Sequence, residues 1–264
     1  MIGTSNPVLN QNTFAQLGQS NGFGGVNLAE RSKVMTIQGA VNASFILLSL
    51  CVGAAAIGWW VVGNQPSMAM PVFIGSTIVG LIMALIITFK PTMAPFVSPL
   101  YALVTGTWVG GLSFMYAAMA AGTSLGGATG GGIIAAAGGL TFAVLFAMLL
   151  LYKFRIIRAT AKFKACIGAS ILGVVMFSVV TLVLSLFGVP MGWLFSGPLA
   201  IVISAVIVAV ASFALILDFD TIEQGAAMGA PRYMEWYAGF GLLVTLVWLY
   251  TSILRLLSIL NRRD

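Results

Sequence analysis

Residues 165–217 read ACIGASILGVVMFSVVTLVLSLFGVPMGWLFSGPLAIVISAVIVAVASFALIL and contain no charged side chain. Lys164 precedes this segment and Asp218 follows it. One transmembrane helix needs about 20 apolar residues, so the segment is long enough for two. Gly188-Val189-Pro190 lies near its middle and favours a turn there. The segment therefore predicts a hairpin of two membrane-spanning helices.

The charges divide the rest of the sequence in the same way. Charge-free segments cover residues 34–89, 91–152 and 236–254. The first two are long enough for two spans each and contain turn residues near their middles, whereas the third fits one span. The sequence thus predicts seven transmembrane helices, over approximately residues 40–62, 69–89, 98–120, 133–152, 166–187, 199–217 and 237–257.

The composition also indicates an all-α integral membrane protein. Hydrophobic residues make up 60% of the chain, charged residues make up 7%, and the mean hydropathy is +1.07. A soluble domain would have far more polar surface. Residues 1–36 are polar by comparison, and we expect them to form a flexible N-terminal tail. The transmembrane domain would then cover residues 37–264.

The basic residues predict the orientation. Because a hairpin returns the chain to its starting side, residues 31–33, Lys90, 153–164 and 218–235 share one face, which holds nine of the 12 basic residues. The positive-inside rule places that face, and the N-terminus, in the cytoplasm. The alternating basic and apolar residues of 153–164 are interpreted as a topology anchor, with binding of anionic lipid as the alternative. We expect no nucleic-acid partner.

Several activities are excluded by the residues that the sequence lacks. It has no histidine, which removes Ser-His hydrolysis and histidine-ligated zinc. No lysine follows Lys164, so the last span has no Schiff-base lysine for retinal. Asp218 and Asp220 lie on one segment, whereas an aspartyl intramembrane protease needs carboxylates facing one another from neighbouring helices. We therefore expect no enzymatic activity and no cofactor.

Acidic side chains are concentrated between spans six and seven, where Asp218, Asp220, Glu223 and Glu235 account for four of the six in the chain. Asp218 directly follows the apolar span, and loss of water favours the protonated form of a carboxyl group. Carboxylate oxygens also suit calcium, which makes Asp218 and Asp220 candidate calcium ligands. The alternative is a solvated cytoplasmic loop in which the four acids pair with Arg232 and other basic side chains.

Several segments together resemble the Bax inhibitor-1 family. They are Leu217-Asp218-Phe219-Asp220-Thr221-Ile222-Glu223, Ser98-Pro99-Leu100-Tyr101-Ala102-Leu103 followed by Gly106, Gly110 and Ser113, and Ile253-Leu254-Arg255-Leu256-Leu257. The segment Glu235-Trp236-Tyr237-Ala238-Gly239-Phe240-Gly241 is similar to a bacterial subgroup. The resemblance covers residues from about 40 to 260, in matching order and spacing. Gly106 and Gly110 also form a GxxxG pair, which predicts close packing within the bundle.

The resemblance implies a bundle in which the last helix is central and surrounded by the other six. It also implies a multi-pass protein of the bacterial inner membrane that acts as a pH-sensitive leak with calcium as the permeant ion. A non-conducting regulator that binds other membrane proteins, such as a membrane protease modulator, remains the alternative. A proton-coupled transporter is a third possibility.

The resemblance further implies a set of gating residues. Asp218 matches an aspartate that pairs with a second one in span seven, and Lys90 is the counterpart of a basic latch. Ten residues before Arg255, where the second aspartate is expected, this chain has Thr245. Span seven has no acid between Trp236 and Leu254, and Asp220 and Glu235 are the candidate substitutes, although neither comes from the matching position. The candidate gating and ion-pathway residues are Asp218, Asp220, Glu235, Thr245, Lys90 and Arg255.

Overall fold

The structure is a computed structural model, and it describes residues 34–121, 130–157, 159–188 and 197–261. Residues 1–33 of the predicted N-terminal tail lie outside the described residues, as do the middles of the second and third predicted hairpin turns. The described helices belong to one compact unit that begins at Met35.

The described residues form seven helices, each long and apolar enough to cross a membrane, as the sequence predicts. In chain order they are α1 (Ile37–Asn64), α2 (Ala69–Phe89), α3 (Ala94–Ala120), α4 (Gly131–Lys153), α5 (Ala161–Leu186), α6 (Gly197–Ala227) and α7 (Met234–Asn261). The 3₁₀ helices Pro66–Met68 and Pro91–Met93 precede α2 and α3. Proline suits the first position of such a turn because its missing N–H would have no partner there.

The sixth helix continues well beyond its predicted end at residue 217 and stops at Ala227. Phe219 and Ile222 are buried, so the apolar face of the helix persists through the acidic segment at helical spacing. Gly229 adopts a φ of 65° just after the helix, a conformation that terminates helices and suits glycine. The interpretation of the acidic segment as a loop is therefore wrong for residues 218–227.

Helix α7 is the central element, and it packs against α1, α3, α4 and α6. Leu243, Leu249 and Leu254 on this helix are almost completely buried. Within the described part of the chain, α2 packs mainly against α3, and α5 packs against α6. The central position of the last helix is confirmed, but within the described residues it packs mainly against four helices rather than six.

Glycines allow α1 and α3 to approach each other closely. A Cβ atom added at Gly106 would collide with the carbonyl oxygen of Cys51, and one added at Gly110 would collide with the carbonyl oxygen of Ala55. The GxxxG pair therefore packs within the bundle, as the sequence predicts.

Candidate functional site

Asp218 and Thr245 form a polar pair between α6 and α7. The Thr245 hydroxyl donates a hydrogen bond to Oδ2 of Asp218. Asp218 lies nine residues before the end of α6, or about 14 Å along the helix, and Thr245 lies a similar distance inside α7. Both residues are half-buried. The pair therefore lies well inside the helix pair and not in the connection between the two helices.

The surroundings of this pair are apolar. Leu215, Phe219, Leu242 and Leu246 belong to one buried hydrophobic cluster, and they come from the same turns of α6 and α7. A carboxylate in such surroundings depends strongly on its hydrogen bonds because water is partly excluded. Among the described residues, the Thr245 hydroxyl donates the hydrogen bond that Asp218 accepts.

The Thr245 hydroxyl has two further acceptors within reach. Its oxygen lies 3.0 Å from the carbonyl oxygen of Leu242 and 3.2 Å from that of Gly241, both in the preceding turn of α7. A hydroxyl group has one proton, so Asp218 and the Leu242 carbonyl compete for the same donor. The hydroxyl proton of Thr245 can therefore point either to Asp218 or to the backbone of α7.

Asp220 lies two residues after Asp218 but has different partners. It forms an ion pair with Lys164 at the start of α5 and accepts a hydrogen bond of 2.6 Å from Gln224. Side chains two residues apart on a helix point about 200° apart. The structure therefore does not bring Asp218 and Asp220 together as ligands of one calcium ion. No group of three or more Asp, Glu, His or Cys residues within the described ranges could hold a metal ion.

Glu223 binds a third helix. The Tyr152 hydroxyl, near the end of α4, donates a hydrogen bond to Oε2 of Glu223. With Asp218 bound to α7 and Asp220 bound to α5, three acidic side chains of α6 contact three different helices. The sequence does not predict Tyr152 and Lys164 as partners of these acids, because nothing in the spacing of the two residues relates them to α6.

Glu235 lies in the first turn of α7 and is 8% exposed. Its Oε1 atom accepts hydrogen bonds of 3.0 Å from both the backbone N–H and the hydroxyl of Thr36, which caps α1. Arg232 Nε lies 4.0 Å from its Oε2. Thr245 is ten residues, or about 15 Å, further along α7. Glu235 therefore joins the starts of α1 and α7 and does not replace the missing carboxylate beside Asp218.

Lys90 and Arg255 also lie away from the pair. Lys90 is exposed just after α2, and among the described residues it forms no ion pair with Asp218. Arg255 lies about 15 Å beyond Thr245 on α7, where it lines two cavities between helices. Of the six predicted residues, the structure brings only Asp218 and Thr245 into contact.

A second polar contact joins α3 to α7. Ser113 Oγ and the Tyr250 hydroxyl are 2.8 Å apart. Both line a cavity of about 390 Å³ between α1, α3, α4 and α7, whose walls are otherwise mostly apolar. Neither Ser113 nor Tyr250 is among the predicted gating residues. Ser113 does belong to one of the segments that carry the family resemblance.

The sequence was compared with known protein families and with curated proteins. The comparison with curated proteins gives no match. The sequence profile of the family described as Bax inhibitor 1 like matches residues 6–262, which is nearly the whole chain. That match includes all seven transmembrane helices and the Asp218–Thr245 pair. The chain therefore belongs to the Bax inhibitor 1 like family.

Proposed function

We propose that this protein is a multi-pass protein of the bacterial inner membrane that leaks cations, with calcium as the permeant ion and with the protonation of Asp218 controlling the flux. The observation that supports this most directly is the hydrogen bond between Asp218 of α6 and Thr245 of the central helix α7. It places an ionisable group against the helix that contacts four others. The proposal involves no catalytic step and no cofactor.

The chemistry of the pair supports control by pH. An ionised Asp218 attracts a divalent cation and accepts the hydrogen bond from Thr245. Once protonated, it loses that charge and can donate to the Thr245 oxygen instead, while the Thr245 hydroxyl turns to the carbonyl oxygen of Leu242. One proton thus changes both the charge and the hydrogen bonding between α6 and α7.

The pair also differs from two facing carboxylates. Two carboxylates at hydrogen-bonding distance share one proton and titrate in two separated steps. Thr245 does not ionise, so Asp218 titrates alone. We therefore expect a shallow, single-step dependence of flux on pH.

The proposed orientation has the N-terminus and the loop at 153–164 in the cytoplasm. It is supported by the concentration of charged groups at one end of the bundle, where Lys164 pairs with Asp220 and Arg232 lies near Glu235. In this orientation Asp218 lies in the half of the bundle that is nearer to the cytoplasm.

The test is calcium flux into dye-loaded liposomes that contain the purified protein, measured from about pH 5 to pH 8. The wild type should conduct with a pH dependence that Asp218→Asn abolishes. Asp220→Asn is the matched control, because it removes a carboxylate two residues away that faces Lys164 instead of α7. Equal effects of the two variants would show that only net charge matters and would contradict gating by Asp218.

The same liposomes separate the proposal from its main alternative. A regulator that only binds other membrane proteins should give no flux above that of protein-free liposomes at any pH. Such a result, obtained with protein that keeps its helical content after reconstitution, would exclude the leak.

A further inference from the structure

Helix α5 stands apart from most of the bundle. In the part of the chain that the structure describes, it packs against α6 and makes no comparable contact with α3 or α7. Two adjoining spaces lie beside it. A polar cavity of about 220 Å³ lies between α3, α5, α6 and α7, and an apolar groove of about 380 Å³ runs between α5 and α6. Val174 and Ile207 line both, so the two spaces share part of their walls.

The polar cavity contains hydrogen-bond donors. Arg255 of α7 lines it, together with Ser204 of α6. Ser204 is 1% exposed, and its hydroxyl oxygen has no hydrogen-bond partner among the described residues. A buried hydroxyl without a partner is costly, which indicates that a ligand or water normally binds it. Guanidinium N–H groups and a serine O–H together suit the oxygen atoms of an anion.

The charge distribution also favours an anion. Among the residues that the structure describes, those that line the polar cavity and the apolar groove include no Asp or Glu. Within the described residues of α7, the acidic side chain is Glu235, which lies twenty residues, or about 30 Å, from Arg255. A cationic side chain inside a membrane-spanning helix commonly marks a binding site or a transport route. The cavity therefore complements a negative group.

The apolar groove begins at Val202, near the start of α6, and extends past the cavity toward the middle of the membrane. It reaches Ser170 on α5 and Val210 on α6, which are further from the adjacent helix ends than Ser178 and Ser204 of the polar cavity. A ligand that fills both spaces has an anionic group near the membrane surface and a hydrocarbon chain that points inward. A phospholipid has this shape and chemistry.

We propose that these two spaces form a binding site for one anionic phospholipid of the adjacent leaflet. Arg255 and Ser204 hold its phosphate, and one acyl chain lies in the groove between α5 and α6. Because α5 packs mainly against α6 within the described residues, the acyl chain can enter from the surrounding membrane without displacing another helix. This site is independent of the proposed cation leak.

The test uses delipidated protein in detergent, titrated with phosphatidylglycerol and followed by native mass spectrometry. Arg255→Gln should weaken binding of one lipid molecule by about tenfold. Gly173→Leu should weaken it as well, since Gly173 lines the groove and has open space beside it for a side chain. This variant leaves both phosphate contacts in place.

Matched controls make the result specific. Gly168→Leu adds the same side chain to α5 at a glycine that also faces open space but does not line the groove. Lys90→Gln removes an exposed positive charge just after α2, away from both the cavity and the basic segment 153–164. Both controls should bind phosphatidylglycerol as the wild type does. Equal binding by the Gly173 and Gly168 variants, or unchanged binding by Arg255→Gln, would overturn the proposal.

A competition experiment identifies the source of the phosphate. Inorganic phosphate should not displace phosphatidylglycerol at millimolar concentration, because it gains nothing from the groove. If inorganic phosphate displaces the lipid and Gly173→Leu has no effect, the cavity binds a free oxyanion and the lipid assignment is wrong.

Discussion

Thr36 donates two hydrogen bonds to the same oxygen of Glu235, one from its backbone N–H and one from its hydroxyl, each 3.0 Å long. The two residues are 199 positions apart in sequence. Their contact joins the first transmembrane helix to the last one at one end of the bundle. Gly39 allows this contact, because a Cβ atom there would collide with the Glu235 carboxylate.

This relationship predicts the effect of Thr36→Val on stability. The variant removes the hydroxyl bond to a buried carboxylate and also the cap at the start of α1, where Thr36 accepts a bond from Gly39 N–H. We expect a loss of about 2–3 kcal/mol in the free energy of unfolding. Thr160→Val is the matched control, since Thr160 caps α5 in the same way without a described carboxylate partner. Equal losses in thermal or denaturant unfolding of the two variants would show that the bond to Glu235 contributes nothing.

Thr245→Asp should change the pH dependence of calcium flux. The Thr245 hydroxyl contacts Asp218, so an aspartate there places two carboxylates side by side. They share a proton and titrate in two steps, which should make the response steeper and more alkaline. The effect, measured in dye-loaded liposomes, should vanish in Asp218→Asn/Thr245→Asp. The same response in the single and double variants would show that the positions are not coupled.

Gly110→Ala should destabilise the contact between α1 and α3. The added methyl group meets the backbone carbonyl of Ala55, which can move only with its helix. Overpacking of this kind costs about 1–3 kcal/mol. Gly75→Ala, on α2, adds the same group into open space and should be neutral or slightly stabilising. Thermal unfolding of the two purified variants tests the difference, and a Gly110→Ala protein as stable as the wild type would contradict the close packing.

The topology can be tested with introduced cysteines. Lys162→Cys lies in the exposed start of α5, and Gln65→Cys lies in the exposed turn after α1. In a chain whose Cys51 and Cys166 are replaced by serine, a membrane-impermeant thiol reagent should label Gln65→Cys from outside the cell and Lys162→Cys only in inverted vesicles. The reverse pattern would overturn the proposed orientation.

The number of helices could be predicted from the sequence because a membrane span has a fixed minimum length and excludes charge. The end of α6 could not be predicted in this way. Asp220 and Glu223 resemble loop residues in isolation, yet Lys164 and Tyr152 bind them on neighbouring helices. Contacts between helices decide whether a charged segment continues a helix, and they are not visible in a charge pattern.

The candidate site was partly predictable for a related reason. The position of Thr245 follows from its spacing before Arg255, and the structure places it against Asp218. The spacing does not show which neighbouring helix each side chain faces. Asp220 therefore points toward α5, and Lys90 remains exposed after α2 without reaching the pair. A residue's place along a helix can be predicted more readily than the neighbour it faces.

The length of α6 makes the protein sensitive to bilayer thickness. With 31 residues this helix is about 46 Å long, whereas the hydrocarbon layer is about 30 Å thick. Such a mismatch is relieved by tilting the helix or by leaving its ends in the headgroup region. Thicker membranes draw the last turns of α6 inward, and thinner ones expose them. The depth of Asp218, and hence its contact with water, therefore changes with the chain length of the surrounding lipids.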